Sequence, residues 1–317
     1  RRTAWQTTIK VVTTGILALA SLGLTLISAF QAPVFWIYVC LFVMGMARTF
    51  LWPASSSFVP HLVPRHLFSR AVTWNSSTFQ LSSVAGPAVG GAIIAATESA
   101  VPAYAFNILA ALTYLTMILA IRRKHAVAMR EPMTLTSLGA GFQFVFASPV
   151  LFATITLDLF AVLLGGATAL LPLYAKDILG VSPRGLGLLQ AAMPAGAMMC
   201  ALFLAHRPPL EKAGRAMLWA VTGFGLATIG FGCSRWFYVS FALLVFCGVL
   251  DNISVVVRHT LVQLLTPDDK RGRVTAVNSL FIGTSNELGG FRAGTVAHWF
   301  GPALGNSIAF GAVVSVV

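Results

Sequence analysis

The chain has 317 residues, 57% of them hydrophobic and only 9% charged, with a formal net charge of +12. A soluble domain carries roughly 25% charged residues, so this chain cannot cover a water-facing surface and lipid is its expected solvent. The basic excess does not indicate nucleic acid, because it sits in short clusters between long apolar runs, without aromatic interleaving or a nucleic-acid module.

A spanning helix needs about 20 apolar residues. Taken in chain order, the first such run lies near 10–30, behind Arg1-Arg2. The next three lie near 34–58, 72–97 and 102–121, and a linker, 122–148, follows them. Its start, Arg122-Arg123-Lys124, is basic, and its second part, around Gly139–Phe146, has the pattern of a short interfacial helix. Five more runs occupy 149–175, 185–205, 215–234, 237–265 and 275–300, and a tenth, 303–317, is cut by the end of the sequence. Backbone groups in lipid must be satisfied within each segment, so helices are the expected form.

The loop charges orient these spans. Arg1, Arg2, Lys10, Arg65, Arg70, Arg122, Arg123, Lys124, Arg130, Arg207, Lys212, Arg215, Lys270, Arg271 and Arg273 fall on one side; Lys176, Arg184 and Arg235 fall on the other. Fifteen against three, alternating without exception, places the first side in the cytoplasm. Arg48, Arg258 and Arg292 remain inside predicted spans.

A shift of 203 residues superposes one part of the chain on another. Val59, Leu62, Pro64, Arg70, Asn75, Ser76, Gly86 and Gly91 fall on Val262, Leu265, Pro267, Arg273, Asn278, Ser279, Gly289 and Gly294, all identical, and Gly45 falls on Gly248. Six spans separate the units, so both have one orientation, as in a parallel repeat of two six-helix halves. With the linker after the fourth span, the first two helices of the first half are expected to be absent. The expected division is therefore 1–121, the linker 122–148, and 149–317.

The residues resemble the major facilitator superfamily along the whole chain, and within it the bacterial subgroup of the enterobactin exporter and related drug-efflux proteins. Arg1-Arg2 is similar to the end of the signature between the second and third helices. Gly86-Pro87-Ala88-Val89-Gly90-Gly91, with Ser82, resembles the exporter-associated signature of the fifth helix, and Gly45-Met46-Ala47-Arg48 a fourth-helix segment with a buried arginine. The stretches Leu157–Val162, Gly165-Gly166, Leu171–Tyr174, Arg271–Gly283 and Ser285–Gly289 are similar to patterns of the subgroup. Gly290 and Arg292 depart from it, since acids are usual there. The resemblance implies an all-α integral-membrane fold of two pseudo-symmetric bundles, with about ten of twelve helices present.

Charges inside spans are expensive, about 2.5–3.5 kcal/mol at mid-helix on insertion scales, and are therefore functional candidates. Six of nine acids lie in loops or at their edges, leaving Asp158, Asp251 and Glu287. The repeat makes Arg48 and Asp251 equivalent, and the resemblance places both helices on a central cavity. They are read as facing one aqueous pathway, where access to water switches proton affinity, or alternatively as a fixed ion pair. Asp158 has no partner nearby in sequence. Arg258 is read as structural near the cytoplasmic end, and Asp251 shares its helix face two turns away. Gly86-Pro87 bends its helix and Gly90 and Gly91 allow close packing, either as a gating hinge or as simple contact. Asn75 and Asn278 are expected as interhelical hydrogen-bonding groups, and Arg70 and Arg273 as loop-holding residues at the cytoplasmic gate.

The expected function is export of a small amphipathic molecule, drug-like or siderophore-like, by proton-coupled antiport with alternating access. The alternatives are a lipid or nutrient carrier of the same fold and a non-transporting receptor or regulator. An enzyme is not expected: HExxH, GxSxG and P-loop patterns are absent. The four cysteines stand singly in apolar runs, without metal-site spacing, and no cofactor is implied. Expected partners are the substrate, protons and the bilayer of a bacterial cytoplasmic membrane, with the protein acting as a monomer.

Overall fold

A computed structural model describes residues 2–62, 67–120, 135–165, 167–206 and 213–300. The side chains of 2–7, 50, 52–62, 68–70, 72–73, 135–138, 164–165, 167, 213, 263, 268–269, 271 and 300 lie outside the described set, and so do the expected span 303–317 and the basic start of the linker. Every regular element described is helical: α1 (Arg2–Ala29), α2 (Phe35–Leu62), α3 (Phe68–Thr97), α4 (Val101–Ala120), α5 (Leu135–Ala147), α6 (Pro149–Gly165), α7 (Leu171–Asp177), α8 (Pro183–Ala205), α9 (Ala213–Cys233), α10 (Phe237–Leu265) and α11 (Asp268–Phe300). Nine of the ten expected spans thus coincide with helix. Seven stretches among the described residues are long and apolar enough to cross a membrane; α2 qualifies only as a shorter apolar helix over Phe35–Thr49, and α11 is not among the seven.

Several hydroxyls on these helices are satisfied within their own helix, as suits lipid. The hydroxyls of Thr13, Ser21, Thr25, Thr154 and Thr228 donate back to carbonyls one turn earlier, for example Thr13 to Ile9 at 2.7 Å and Ser21 to Leu17 at 2.9 Å. Large apolar side chains such as Leu19, Phe42, Leu109, Leu202, Trp219 and Phe291 stay exposed, which suits a lipid-facing surface.

The chain divides into two compact units, Arg1–Ser82 with Val89–Arg130, and Ser83–Ala88 with Glu131–Val317. In the first, α1 packs against α2 and α4 around Ala20, Leu24 and Met44. Asn107 on α4 donates to Ser21 Oγ on α1 at 2.9 Å.

In the second unit, α8, α9 and α10 form the densest packing. Gly196 of α8 lies against the backbone of Val245, and Gly248 of α10 lies against the backbone of Met193, each with no room for a Cβ. This reciprocal approach brings two helices together over small residues. One core gathers Leu171, Tyr174, Leu189, Ala192, Phe231 and Leu244. The Tyr174 ring packs on Phe231 at 4.5 Å, and its hydroxyl donates toward the carbonyls of Phe231, at 2.6 Å, and Ser234.

A second core joins Val145, Leu151, Ile155, Val262, Val274 and Val277. Through it α5 packs against α6 and α11, and Gly141 approaches the Arg273 carbonyl so closely that a Cβ would stand 2.9 Å from it. The expected interfacial helix is therefore a packed element with apolar helix neighbours.

The span expected over 149–175 is not continuous. α6 ends at Gly165, a 3-10 turn follows at Ala167–Leu170, and α7 resumes with Pro172 in its first turn. The break lies beside α11, where a Cβ on Gly289 would meet the Val162 carbonyl at 2.9 Å.

Candidate functional site

Helix ends leave carbonyls without intrahelical partners. One of them is satisfied from α11: Arg292 Nε donates to the Leu163 carbonyl at 2.9 Å. The residue that departs from the subgroup's acidic pattern thus sits at the break in α6. Gly290 lies beside the following turn, where a Cβ would meet the Ala169 methyl at an ordinary 3.7 Å.

A cavity of about 110 Å³ opens against this break. Val162, Thr168, Met193, Phe224, Thr228, Phe231, Leu244, Cys247, Asp251 and Asn286 line it, so all of its wall comes from the second unit. Asp251 is the charged residue of that lining and is itself half-buried. Its lining combines aromatic faces with a carboxylate, an amide and two hydroxyls, and can hold a proton, water or a small polar group.

Two turns further along α10, Arg258 is 2% exposed and forms an ion pair with Asp158 of α6, which is 6% exposed. Asp158 therefore does have a partner, a hundred positions along the chain, and Arg258 is bound to a spanning helix. A pair so enclosed is stable as a pair and costly to break, because removing one member leaves an uncompensated charge. His259, its neighbour, is exposed.

A second cavity, about 180 Å³, belongs to the first unit and is lined by Thr14, Leu17, Met44, Arg48, Leu51, Asn107, Ala111 and Tyr114. The repeat-equivalent residues Arg48 and Asp251 thus each line a cavity within their own unit.

The remaining candidates differ in burial. Glu287 on α11 is exposed, next to the cavity-lining Asn286. Asn75 on α3 is exposed, whereas its repeat equivalent Asn278 is 1% exposed with Oδ1 unpartnered among the described residues. Arg273 is half-buried on α11, and the side chain of Arg70 lies outside the described set. Pro87 is inside α3, as expected. Among the described residues, a Cβ on Gly86 or Gly90 would meet nothing within 4 Å, and Gly91 is buried. Close approaches to the backbone of another helix occur at Gly141, Gly196, Gly248 and Gly289. A repeat register and local motifs identified Gly248 and Gly289 as special but gave no sign of Gly196, whose role depends on which helix crosses it.

Among known proteins, the chain is similar to the enterobactin exporter EntS of Shigella flexneri, 29% identical over 240 residues that make up 74% of this chain and 55% of that protein. EntS of Escherichia coli O1:K1 is 28% identical over 220 residues, 69% of this chain and 52% of its own length. The chain therefore spans about half the length of the curated relatives it matches. Two solved structures share the fold at 15% identity: a D-xylose–proton symporter, with a TM-score of 0.68 over 98% of this chain and 79% of that one, and a bacterial homologue of the human lysosomal transporter Spinster, inward-facing and unoccupied, with a TM-score of 0.59 over 96% and 79%. All four are transporters by name, none an enzyme. The sequence model of the Major Facilitator Superfamily matches residues 8–290, and with that match the chain belongs to this superfamily of membrane transport proteins.

Proposed function

We propose that this chain is part of a secondary exporter in a bacterial cytoplasmic membrane, moving a small amphipathic molecule outward by alternating access in exchange for protons. The observation that carries the reading is the Asp251 cavity, because a half-buried carboxylate beside a broken spanning helix is a group whose proton affinity follows its access to water. Export is favoured over a nutrient or lipid carrier by the names of the relatives, enterobactin exporters in enteric bacteria. The strong cytoplasmic bias of basic loop residues supports the stated orientation.

Asp251 is assigned the proton-carrying role. Asp158 and Arg258 hold α6 to α10 through their ion pair, so that a change at Asp251 reaches the break in α6. Glu287, next to the cavity-lining Asn286, is a secondary acid on this path. Pro87 stands inside α3 with open space beside Gly86 and Gly90 among the described residues, which supports a hinge there. The protein acts as a monomer in this scheme.

Inverted membrane vesicles carrying the full-length protein, with an acid interior, test the reading. Drug-like and siderophore-like amphiphiles are expected to accumulate inside the vesicles. Accumulation is expected to collapse in Asp251→Asn. Undiminished gradient-driven uptake by that variant removes Asp251 from coupling. Accumulation only in right-side-out vesicles, together with protons, replaces export by import.

A further inference from the structure

We propose that Ser254 is a positioning residue for proton coupling, its hydroxyl joining Asp251 to Arg258 in one hydrogen-bonded chain while Asp251 is ionised. The proposal deepens the reading above and rests on it for the proton at Asp251. Residues three and four apart on an α-helix are neighbours, with Cβ atoms about 5–6 Å apart. On α10, Ser254 stands three residues after Asp251 and four before Arg258, so the three share one face over about 10 Å of helix axis. A long side chain on a helix points back over the preceding turn, which lays the stem of Arg258 toward Ser254.

The polar atoms of that face are unengaged. Ser254 is 4% exposed and Arg258 is 2% exposed, and the Ser254 hydroxyl and Arg258 Nε both lack a hydrogen-bond partner among the described residues. Both atoms are shut in by helices of their own unit, so a segment from elsewhere finds no surface at which to reach them. The hydroxyls of Thr154, Thr228, Thr260 and Ser285 donate to carbonyls three or four residues earlier, the ordinary way to satisfy a hydroxyl in a helix. Ser254 makes no such bond and is left for other partners. A hydroxyl is donor and acceptor at once, so it accepts from Arg258 Nε and donates to the Asp251 carboxylate. Hydrogen bonds to an ionised group are stronger than neutral ones. The chain therefore closes when Asp251 gives its proton to the cavity and opens when the proton returns; the structure shows it open. Of the elements packed against α10, α6 brings Asp158, α8 brings Cys200, and α11 brings Glu287 and Arg292, while the other charged or titratable groups of α8, α9 and α11 stand toward helix ends. Cys247 and the exposed His259 are α10's own. Asp158 is the one of these bound to Arg258, so ionisation of Asp251 is felt where α6 meets α10.

The test is a pH titration of the full-length protein in nanodiscs, followed by infrared difference spectroscopy. The protonated carboxyl band of Asp251 is identified by its loss in Asp251→Asn. A donor to a carboxylate favours the ionised form, so Ser254→Ala is expected to hold that proton about tenfold more tightly. The titration then moves up by about one pH unit, with an unfolding midpoint no lower than the parent's. Ser254→Thr, which keeps the hydroxyl, is expected to restore the parent titration. In Asp158→Leu with Arg258→Met, which removes the far end of the chain, Ser254→Ala is expected to shift the titration by about threefold or less. An unchanged titration in Ser254→Ala, a shift to lower pH, or an equal shift without the ion pair overturns the proposal. Spectra in which Asp251→Asn loses no carboxyl band overturn it together with the proton-carrying role of Asp251. Undiminished gradient-driven uptake by Asp251→Asn vesicles, with the Ser254→Ala shift intact, counts against the transport reading alone and leaves the hydrogen-bonded chain standing.

Discussion

Breaking the Asp158–Arg258 pair gives the most direct test of how α6 and α10 are joined. Both side chains are almost fully enclosed, at 6% and 2% exposure, and Asp158 lies nine residues into α6, roughly 13 Å along its axis. Asp158→Asn therefore strands the Arg258 guanidinium among apolar helices, and Arg258→Gln strands the carboxylate. Removing one member of a buried pair costs about 3–5 kcal/mol, and insertion scales for a lone mid-helix charge, about 2.5–3.5 kcal/mol, give a similar magnitude. Removing both together, as Asp158→Leu with Arg258→Met, is expected to be close to neutral, because no charge remains to be compensated. The assay is SDS-driven unfolding of the purified chain in mixed micelles, read as a double-mutant cycle. A coupling energy of about 3 kcal/mol or more is expected. Single-mutant losses that add to within about 0.5 kcal/mol would show that the pair does not hold these helices together.

Gly248→Val and Gly196→Val are expected to destabilise the second unit by about 3 kcal/mol, the upper end of the cost of overpacking, because each new side chain meets backbone of the opposite helix; Gly45→Val, at the repeat-equivalent position but with open space around it, is expected to be nearly silent in the same unfolding assay. Arg292→Met removes a charged donor from the Leu163 carbonyl and is expected to cost about 1.5–3 kcal/mol, with amide hydrogen exchange accelerating over residues 163–171. Tyr174→Phe removes the hydroxyl that reaches the carbonyls of Phe231 and Ser234; a loss of about 1–3 kcal/mol is expected, read by the unfolding midpoint of the same chain.

Composition and the lengths of the apolar runs were enough to show a membrane protein and its helical spans, because the cost of a polar backbone or a charge in lipid acts on each segment separately. The internal register of 203 residues likewise marked Arg48, Asp251, Asn278 and Gly289 before any contact was known. The solvent requirement is local, so the sequence states it openly. The partner of Asp158 was not legible, because the two residues of the pair are a hundred positions apart on different helices and no local pattern links them. Gly196 was unreadable for the same reason: a glycine within an apolar helix means nothing until another helix crosses it. The break at Gly165 was visible only as a pair of glycines within a long apolar run, and Arg292 only as a departure from a pattern. Tertiary packing decided that one carbonyl beside that break, that of Leu163, is met by that arginine. It also placed the two repeat-equivalent charges in separate cavities, each lined by its own unit. Sequence fixes what each helix must offer its solvent; which buried groups face one another depends on helix crossings, and those are set by packing over the whole bundle.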